Sequence, residues 1–281
     1  MLSYRHAFHA GNYADVLKHL VLTRILVHLT RNKGPLCYID THAGAGGYAL
    51  TSPEAMKVGE YRDGIELIWQ RNDGPQGIQD YRALVARFNR NNTHLAYYPG
   101  SPWLAGQLLR PDDRAIFCEL HPADFPILQS RFAGQRRREC CRQDGYTRSL
   151  ALVPPIERRG LIMIDPSYEQ KKEFDQVTTH IQQLHRRFAT GVYALWYPIV
   201  NHESINRMKR RLVASGIRRI ESYELFRDAS LKSGGMAGTG VIVINPPWTL
   251  REEMQGSLNY LTDIMARAPN PAFQIEVLVP E

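Results

Sequence analysis

Cysteine is scarce in this sequence, with four residues among 281, and no two of them form a CxxC pair. This argues against both a zinc ribbon and a disulfide framework, so we expect reduced packing cysteines. No apolar run approaches the roughly 18 residues that a membrane span needs, and no cationic start precedes an apolar segment. We therefore expect a cytoplasmic protein with no membrane partner.

Size and charge set broad limits on the class of protein. The chain is 43% hydrophobic and 22% charged, which suits one large α/β domain or a domain with an insertion. Lysine and arginine (35) exceed aspartate and glutamate (28), giving a formal charge of +7. This excess favours a polyanionic partner, although many proteins that never bind nucleic acid are as basic.

Apolar periodicity predicts an α/β fold. The segment YADVLKHLVLTRILVHLTRNKG has a wide apolar stripe at helical spacing, with Asn12 as its N-cap and Gly34 as its end. Seven strand-like runs follow, from LCYID to GVIVINPPW, mostly separated by helical patterns, which predicts a largely parallel sheet with helices on both faces. The run AFQIEVLVPE is a candidate for a further strand. Residues 48–98 are predicted to form a small helical insertion in a domain of residues 1–47 and 99–281.

Small and acidic residues end the first three predicted strands. The first strand runs into a turn, 40–46, whose glycines let a ligand approach the backbone. Glu119 ends the second strand, 73 residues after Gly46, and is placed to bind ribose hydroxyls if the insertion accounts for the long separation. Asp144 and Gly145 end the third, where a carboxylate can accept from an adenine amino group. The glycine turn alone also fits a dinucleotide pattern, but the combination favours a pocket for S-adenosylmethionine.

Two tetrads resemble the Asp/Asn-Pro-Pro-aromatic signature of enzymes that methylate exocyclic amino groups. One is Asp165-Pro166-Ser167-Tyr168 after the fourth strand, and the other is Asn245-Pro246-Pro247-Trp248 after the seventh. The fourth strand neighbours the first across the switch point, whereas the seventh is antiparallel in the methyltransferase arrangement, so its end points away from the cofactor. We therefore predict that the first tetrad is catalytic, and that the second ends a strand with a packed tryptophan.

The chemistry of amino methylation suits the first tetrad. The lone pair of adenine N6 is delocalised into the ring, so two acceptors must hold the amino hydrogens and direct that lone pair at a methyl donor. The carboxylate of Asp165 and the carbonyl of Pro166 are those acceptors, and Tyr168 is predicted to stack on the base. A carboxylate is too weak a base to ionise a neutral amine, so Asp165 accepts the proton during or after methyl transfer.

The sequence resembles one known family along its whole length. The matching segments, in order, are YRHAFHAGNYADVLKH, DTHAGAGGY, YYPGSP, ELHP, DGY, LIMIDPSYE, YALWYP and VIVINPPW. They are similar to the signature segments of the bacterial large-subunit ribosomal RNA adenine-N6-methyltransferase J family. The resemblance implies a class I, Rossmann-like methyltransferase with a seven-stranded sheet and a helical insertion, which methylates one adenine of 23S ribosomal RNA, naked or in an assembling particle.

The resemblance also implies roles for individual residues. Asp165 corresponds to the catalytic proton acceptor. The implied contacts to S-adenosylmethionine are His19, His42, Ser101, Glu119, Asp144, Gly145 and Asp165. Tyr4 is similar to the residue that meets the RNA, and His6 and Lys18 lie in the same segment. Ser167 departs from the family, which has proline there, and we expect a working but less rigid site.

Several alternatives remain open at this stage. His6, His9 and His19 suggest a metal site, but no nearby ligand set completes one, so we expect no metal. The basic clusters RFAGQRRRECCR, LHRRF and NRMKRRLVASGIRR are either solvated helix faces or phosphate contacts, and the first of them precedes the third strand, away from the predicted site. Other candidate functions are a DNA adenine or protein-glutamine methyltransferase and a non-catalytic RNA-binding or ribosome assembly factor.

Overall fold

A computed structural model describes residues 4–90, 92–170, 172–227, 236–265 and 272–281. Its strands in chain order are β1 (Cys37–Asp40), β2 (Gly47–Ala49), β3 (Tyr97–Pro99), β4 (Arg114–Cys118), β5 (Arg138–Cys141), β6 (Gly160–Ile164), β7 (Val192–Ile199), β8 (Ile220–Phe226), β9 (Gly238–Ile244) and β10 (Ala272–Val279). Its helices are α1 (Tyr13–Arg31), α2 (Pro53–Val58), α3 (Ile65–Trp69), α4 (Gln76–Phe88), α5 (Ser101–Leu108), α6 (Asp124–Phe132), α7 (Gly145–Leu152), α8 (Glu173–Arg187), α9 (His202–Val213) and α10 (Leu250–Met265).

The large sheet has eight strands in the order β10-β8-β9-β7-β6-β1-β4-β5. Strands β5, β4, β1, β6 and β7 are parallel, while β9 runs antiparallel to both β7 and β8, and β10 is antiparallel to β8. The predicted α/β fold and the antiparallel seventh strand are confirmed. The predicted count of seven is one short, because the candidate run near the C-terminus does form β10.

Helices cover both faces of this sheet. Successive side chains of a strand point to opposite faces, so each strand contributes to two cores. Tyr38 of β1 belongs to a core with the apolar residues of α1, whereas Cys37 and Ile39 belong to a second core with α8 and α9. Helix α1 is almost entirely buried over its first fourteen residues, and Asn12 caps it by accepting from the Asp15 amide at 2.9 Å. The first turns of α1, which carry Asp15 and Lys18, are therefore held in place by packing and by the cap.

The segment between β1 and β4 contains the predicted insertion. Its ends, β2 and β3, pair as a two-stranded antiparallel sheet, and α2, α3 and α4 lie between them. Ile65, Ile78 and Tyr81 join the same core as α1. The segment is thus helical, but its apolar face is continuous with the core of the larger domain.

Candidate active site

The first site feature is a cavity of about 400 Å³ at the carboxyl ends of β1, β4 and β6. The predicted site residues that line it are Tyr4, His6, Lys18, His19, His42, Ser101, Glu119, Asp165, Pro166 and Tyr168. A second cavity of about 770 Å³ shares four lining residues with the first and is lined by the remaining two, Asp144 and Gly145. All twelve predicted residues therefore lie around two adjoining cavities.

A buried ion cluster surrounds the predicted catalytic carboxylate. Lys18 Nζ lies 2.6 Å from Asp165 Oδ2 and 2.8 Å from Asp15 Oδ1, and the lysine side chain is only 5% exposed. Burial alone would lower the pKa of Lys18, but the two carboxylates outweigh it and hold that pKa well above its usual value. Lys18 therefore stays charged and fixes one oxygen of Asp165.

The cluster continues through Asp15 toward the surface. Asp15 Oδ2 accepts from the Gly11 amide at 2.8 Å and lies 2.8 Å from His6 Nε2. His6 Nδ1 in turn lies 2.9 Å from the hydroxyl of Tyr4. Burial would raise the pKa of Asp15, but the charges of His6 and Lys18 hold it well below its usual value. An unbroken chain of contacts thus joins the exposed Tyr4 to Asp165.

Sequence reasoning did not assign Asp15 to the site. A single carboxylate near a helix start is usually a cap or a favourable dipole contact, so its type and position alone do not point to a site. Its spacing of three residues from Lys18, which places both side chains on one helical face, was the available signal. Trp196 was also not predicted as a site residue. In the structure its ring centroid lies 5.6 Å from Lys18 Nζ.

The glycine turn after β1 is fixed to both neighbouring strands. Thr41 donates its amide to Met163 of β6 and Ala43 donates to Cys118 of β4. Gly44 has φ +60°, and a Cβ there would lie 2.1 Å from the Tyr48 hydroxyl, so this position requires glycine. The turn is therefore rigid, and Gly44, which is only partly buried, lines the first cavity.

Both predicted acidic contacts are held by backbone amides. Glu119 accepts from Gly44 at 2.7 Å and from His121 at 2.6 Å, which orients its carboxylate in the first cavity. Asp144 is the N-cap of α7 and accepts from Thr147 at 2.7 Å. Each carboxylate keeps further lone pairs that can accept from hydroxyl or amino groups.

Two predicted histidines are neutral at physiological pH. Burial holds the pKa of His19 well below its usual value, and its Nδ1 lies 2.7 Å from the Tyr98 hydroxyl. Burial lowers the pKa of His42 to about 4. Ser101 begins α5. Burial raises the pKa of Asp40 to about 6, and Ser101 and Tyr38 partly offset that rise. The cavity wall thus offers neutral polar groups beside one strong ion cluster.

The aromatic residue of the first tetrad is held firmly. Tyr168 has φ +53°, and its hydroxyl donates to the Trp196 carbonyl at 2.8 Å. Its ring centroid lies 4.5 Å from that of Phe174 and 5.8 Å from that of Trp196. Tyr168 lines the cavity in a preorganised orientation, and its stacking on a base stays a prediction.

The second tetrad lies at the opposite edge of the sheet. The side-chain amide of Asn245 donates to the carbonyls of Ala189 and Gly191, both at 2.8 Å, so this residue ties the end of β9 to the start of β7. The expectation that Trp248 packs is wrong, because its side chain is 81% exposed. The turn that Asn245 fixes carries the ring away from the core.

The described part of the chain contains no cluster of three or more histidine, cysteine, aspartate or glutamate side chains able to hold a metal. Within the same residues, no helix combines the length and the apolar character that crossing a membrane requires.

Comparison with known proteins finds relatives over the whole chain. The family model described as Ribosomal RNA large subunit methyltransferase D, RlmJ, matches residues 33–279. Two relatives named Ribosomal RNA large subunit methyltransferase J, from Escherichia coli (strain K12) and Haemophilus influenzae, are 46% and 43% identical over 281 residues, with full coverage of both chains. The crystal structure of a Legionella pneumophila protein, 37% identical, has a TM-score of 0.89 and covers 96% of this chain and 98% of that one.

Proposed function

The chain belongs to the RlmJ family of ribosomal RNA large subunit methyltransferases, and from this premise we propose that it methylates N6 of one adenine in 23S ribosomal RNA. The observation that carries the proposal is the position of Asp165 and Pro166. They end β6 beside the glycine turn of β1, in the cavity that the predicted cofactor residues also line. This is the crevice where open α/β sheets bind ligands.

The residues around the two cavities fit S-adenosylmethionine. Glu119 and Asp144 supply acceptors for hydroxyl and amino groups, and the turn residue Gly44 lines the first cavity. The hydroxyl of Tyr146 is buried beside the second cavity and has no partner among the described residues, as expected for a group that meets a ligand. When bound, S-adenosylmethionine supplies a sulfonium methyl group to the amino nitrogen.

Orientation of the adenine amino group is the first task of the tetrad. Lys18 occupies Oδ2 of Asp165, and the described residues place no partner on Oδ1, which is left to accept one N6 hydrogen. The Pro166 carbonyl accepts the other. Fixing both hydrogens directs the nitrogen lone pair along one line, and such preorganisation accounts for much of the rate in reactions of this kind.

Proton removal is the second task. As the new carbon–nitrogen bond forms, N6 gains positive charge and its remaining hydrogens become acidic. One proton then passes to Asp165, with which it already shares a hydrogen bond. Lys18 holds one oxygen of Asp165 in position for this step, and Asp15 holds Lys18 in place.

The N-terminal segment is proposed to complete the RNA site, and the insertion only supports it from behind. Tyr4 is partly exposed at the cavity rim, where it can contact the substrate, while His6 links it to the ion cluster. We propose that residues 48–98 form an insertion whose core supports this rim, since His9 lies 3.0 Å from Glu60 of that segment.

The test compares three acceptors in one assay. Purified protein is incubated with S-adenosylmethionine carrying a labelled methyl group and with deproteinised 23S RNA, DNA or polypeptide. We expect label only in the RNA, as N6-methyladenine after digestion. Label in DNA or polypeptide instead would support the alternative enzymes. The absence of both methyl transfer and cofactor binding in calorimetry would support a non-catalytic assembly factor.

A further inference from the structure

The basic charge of the molecule is concentrated at the sheet edge opposite the active site. The segments leading into β1, β4, β5, β6, β7 and β8 are 31–36, 109–114, 133–138, 153–159, 185–191 and 214–219. They contain 13 lysine and arginine residues but only 3 aspartate and glutamate residues, a net charge of +10 against +7 for the whole chain. Because these strands are parallel to one another, all six segments lie at one edge, called here the amino edge.

Many of these cations are exposed, although Arg137 and Arg187 each donate to one backbone carbonyl. Seven are exposed and form no ion pair with an acidic side chain among the described residues: Arg31, Lys33, Arg136, Arg137, Arg158, Arg186 and Arg187. Helix dipoles favour cations at this edge, because the preceding helices end there, but they explain only the last helical turns. Arg136, Arg137 and Arg158 lie in loops beyond those turns.

Three arginines at this edge have a left-handed backbone, which favours glycine or asparagine. They are Arg137 (φ 60°), Arg158 (φ 53°) and Arg219 (φ 57°). Residues other than glycine rarely adopt this backbone conformation, and such residues are found more often at functional sites. Here the chain places a long cation where glycine would be less strained.

The second tetrad adds an exposed aromatic ring to the same edge. Strand β9 is antiparallel, so its carboxyl end lies among the amino ends of its neighbours. The backbone amide of Asn245 donates to the Arg219 carbonyl, and the Arg219 guanidinium donates to the Pro246 carbonyl at 3.3 Å. The Trp248 ring meets His28 of α1 edge-on, with 6.2 Å between centroids. Trp248 therefore lies beside the end of α1, two residues after the Pro246 carbonyl that Arg219 contacts.

We propose that the amino edge is a second RNA-binding surface, at which arginines bind phosphates and Trp248 stacks on an unpaired base. An exposed aromatic ring among basic side chains is the typical arrangement for binding single-stranded nucleic acid. From β5 to β8 the edge spans six strand spacings, roughly 30 Å, which is long enough for several nucleotides. The proposal rests on ribosomal RNA being the substrate.

The surface binds a part of the RNA other than the target adenine. The five residues of β6 separate Gly160 at the amino edge from Asp165, a distance of roughly 15 Å along the strand. One nucleotide cannot occupy both places. The amino edge therefore increases affinity for a long RNA without taking part in methyl transfer.

The test measures RNA binding by variants that the fold tolerates. Trp248→Ala removes an exposed ring, and Trp248→Phe keeps a stacking ring in its place. The double variant Arg137→Gly and Arg158→Gly removes two charges and relieves two left-handed positions. Arg90→Gly is its matched control, because Arg90 is exposed with φ 55° but lies in the insertion.

Binding is measured on a long 23S RNA transcript by filter retention over a range of salt concentrations. We expect Trp248→Ala to raise Kd about 5- to 100-fold, with Phe restoring most of the affinity. The arginine double variant should reduce the slope of log K against log salt by about 1.4 to 1.8, and Arg90→Gly should leave the slope unchanged. Methyl transfer at saturating RNA and the affinity for S-adenosylmethionine should match wild type in every variant.

Two results separate this proposal from the proposed function. If wild type methylates 23S RNA but the amino-edge variants bind it as tightly and with the same salt slope as Arg90→Gly, the second surface is refuted. If the variants lose RNA affinity although wild type methylates no RNA, the surface stands and the enzymatic assignment fails.

Discussion

Replacing Asp15 by asparagine tests the ion cluster most sharply. The carboxylate is 2% exposed and meets three groups at 2.8 Å: Lys18 Nζ, His6 Nε2 and the Gly11 amide. Asparagine has the same shape, so no cavity forms, but its amide group turns a donor toward partners that need an acceptor. Breaking a buried ion pair costs about 3–5 kcal/mol. Because Lys18 keeps its contact with Asp165, we expect Asp15→Asn to lower the free energy of unfolding by about 3 kcal/mol.

The assay is urea denaturation at several pH values, with Asp175→Asn as control. Asp175 also meets two arginines, but it is 45% exposed, so its loss should cost less than about 1 kcal/mol. The pKa of Asp15 is depressed in the fold, so its stabilisation is present above the unfolded value of about 3.9 and is lost as pH falls through the folded value. The difference between wild type and Asp15→Asn should therefore be constant from pH 8 to 5 and shrink below about pH 4.

Activity gives the second readout of the same variant. Without Asp15, Lys18 keeps its contact with Asp165 but is held less firmly, so Asp165 is oriented less precisely; we expect kcat to fall about 10- to 100-fold, equivalent to about 1.4–2.7 kcal/mol of activation free energy. A variant that unfolds within about 0.5 kcal/mol of wild type and keeps its kcat would refute the account of the cluster.

Three further predictions concern single residues. Burial lowers the pKa of His42 to about 4, so the unfolded chain binds a proton near pH 6.5 that the folded protein does not bind. The free energy of unfolding should therefore fall as pH drops from 6.5 to 4. His42→Asn should reduce this pH dependence in urea titrations. Ser167→Pro should restore backbone restraint and change the activation free energy of methyl transfer by less than about 1 kcal/mol; lost activity with intact folding and cofactor binding would contradict this. Asn245→Ala removes two hydrogen bonds at a left-handed position, so we expect about 2–3 kcal/mol of destabilisation in thermal melts with unchanged kcat, and a large loss of kcat would show that the second tetrad is catalytic after all.

Much of the fold was predictable because strand ends carry a strong local signal. Apolar runs ending in Asp40, Glu119, Asp144 and Asp165 predicted β1, β4, β5 and β6 and their common direction. The eighth strand was less certain from sequence, since β10 is an edge strand whose residues are mostly only partly buried. Its alternation is therefore weaker than that of a central strand.

The candidate site was predictable where chemistry depends on local sequence, and not where it depends on tertiary contact. Asp165 and Pro166 follow from the tetrad and its strand. Asp15 does not, because its importance comes from Lys18, from His6 outside the helix, and from a carboxylate 150 residues away. No local pattern reports such a contact.

The second tetrad shows the limit of motif reasoning most clearly. Its sequence is closer to the amino-methylase signature than that of the first tetrad is, because it retains both prolines. Strand direction correctly predicted that Asn245 and Asp165 lie at opposite ends of the sheet's strands. The exposure of Trp248 could not be predicted from sequence. The conformation of its turn depends on hydrogen bonds from the Asn245 side chain to the distant 189–191 loop.

The most direct test of the central claim is mass spectrometry of 23S RNA fragments from a strain that lacks this protein. The account predicts that N6-methylation of one adenine disappears, that wild type restores it, and that Asp165→Asn, produced at the same level, does not. Unchanged adenine methylation in the deletion strain, or full restoration by Asp165→Asn, would contradict the assignment of Asp165 as the centre of an adenine N6 methyltransferase.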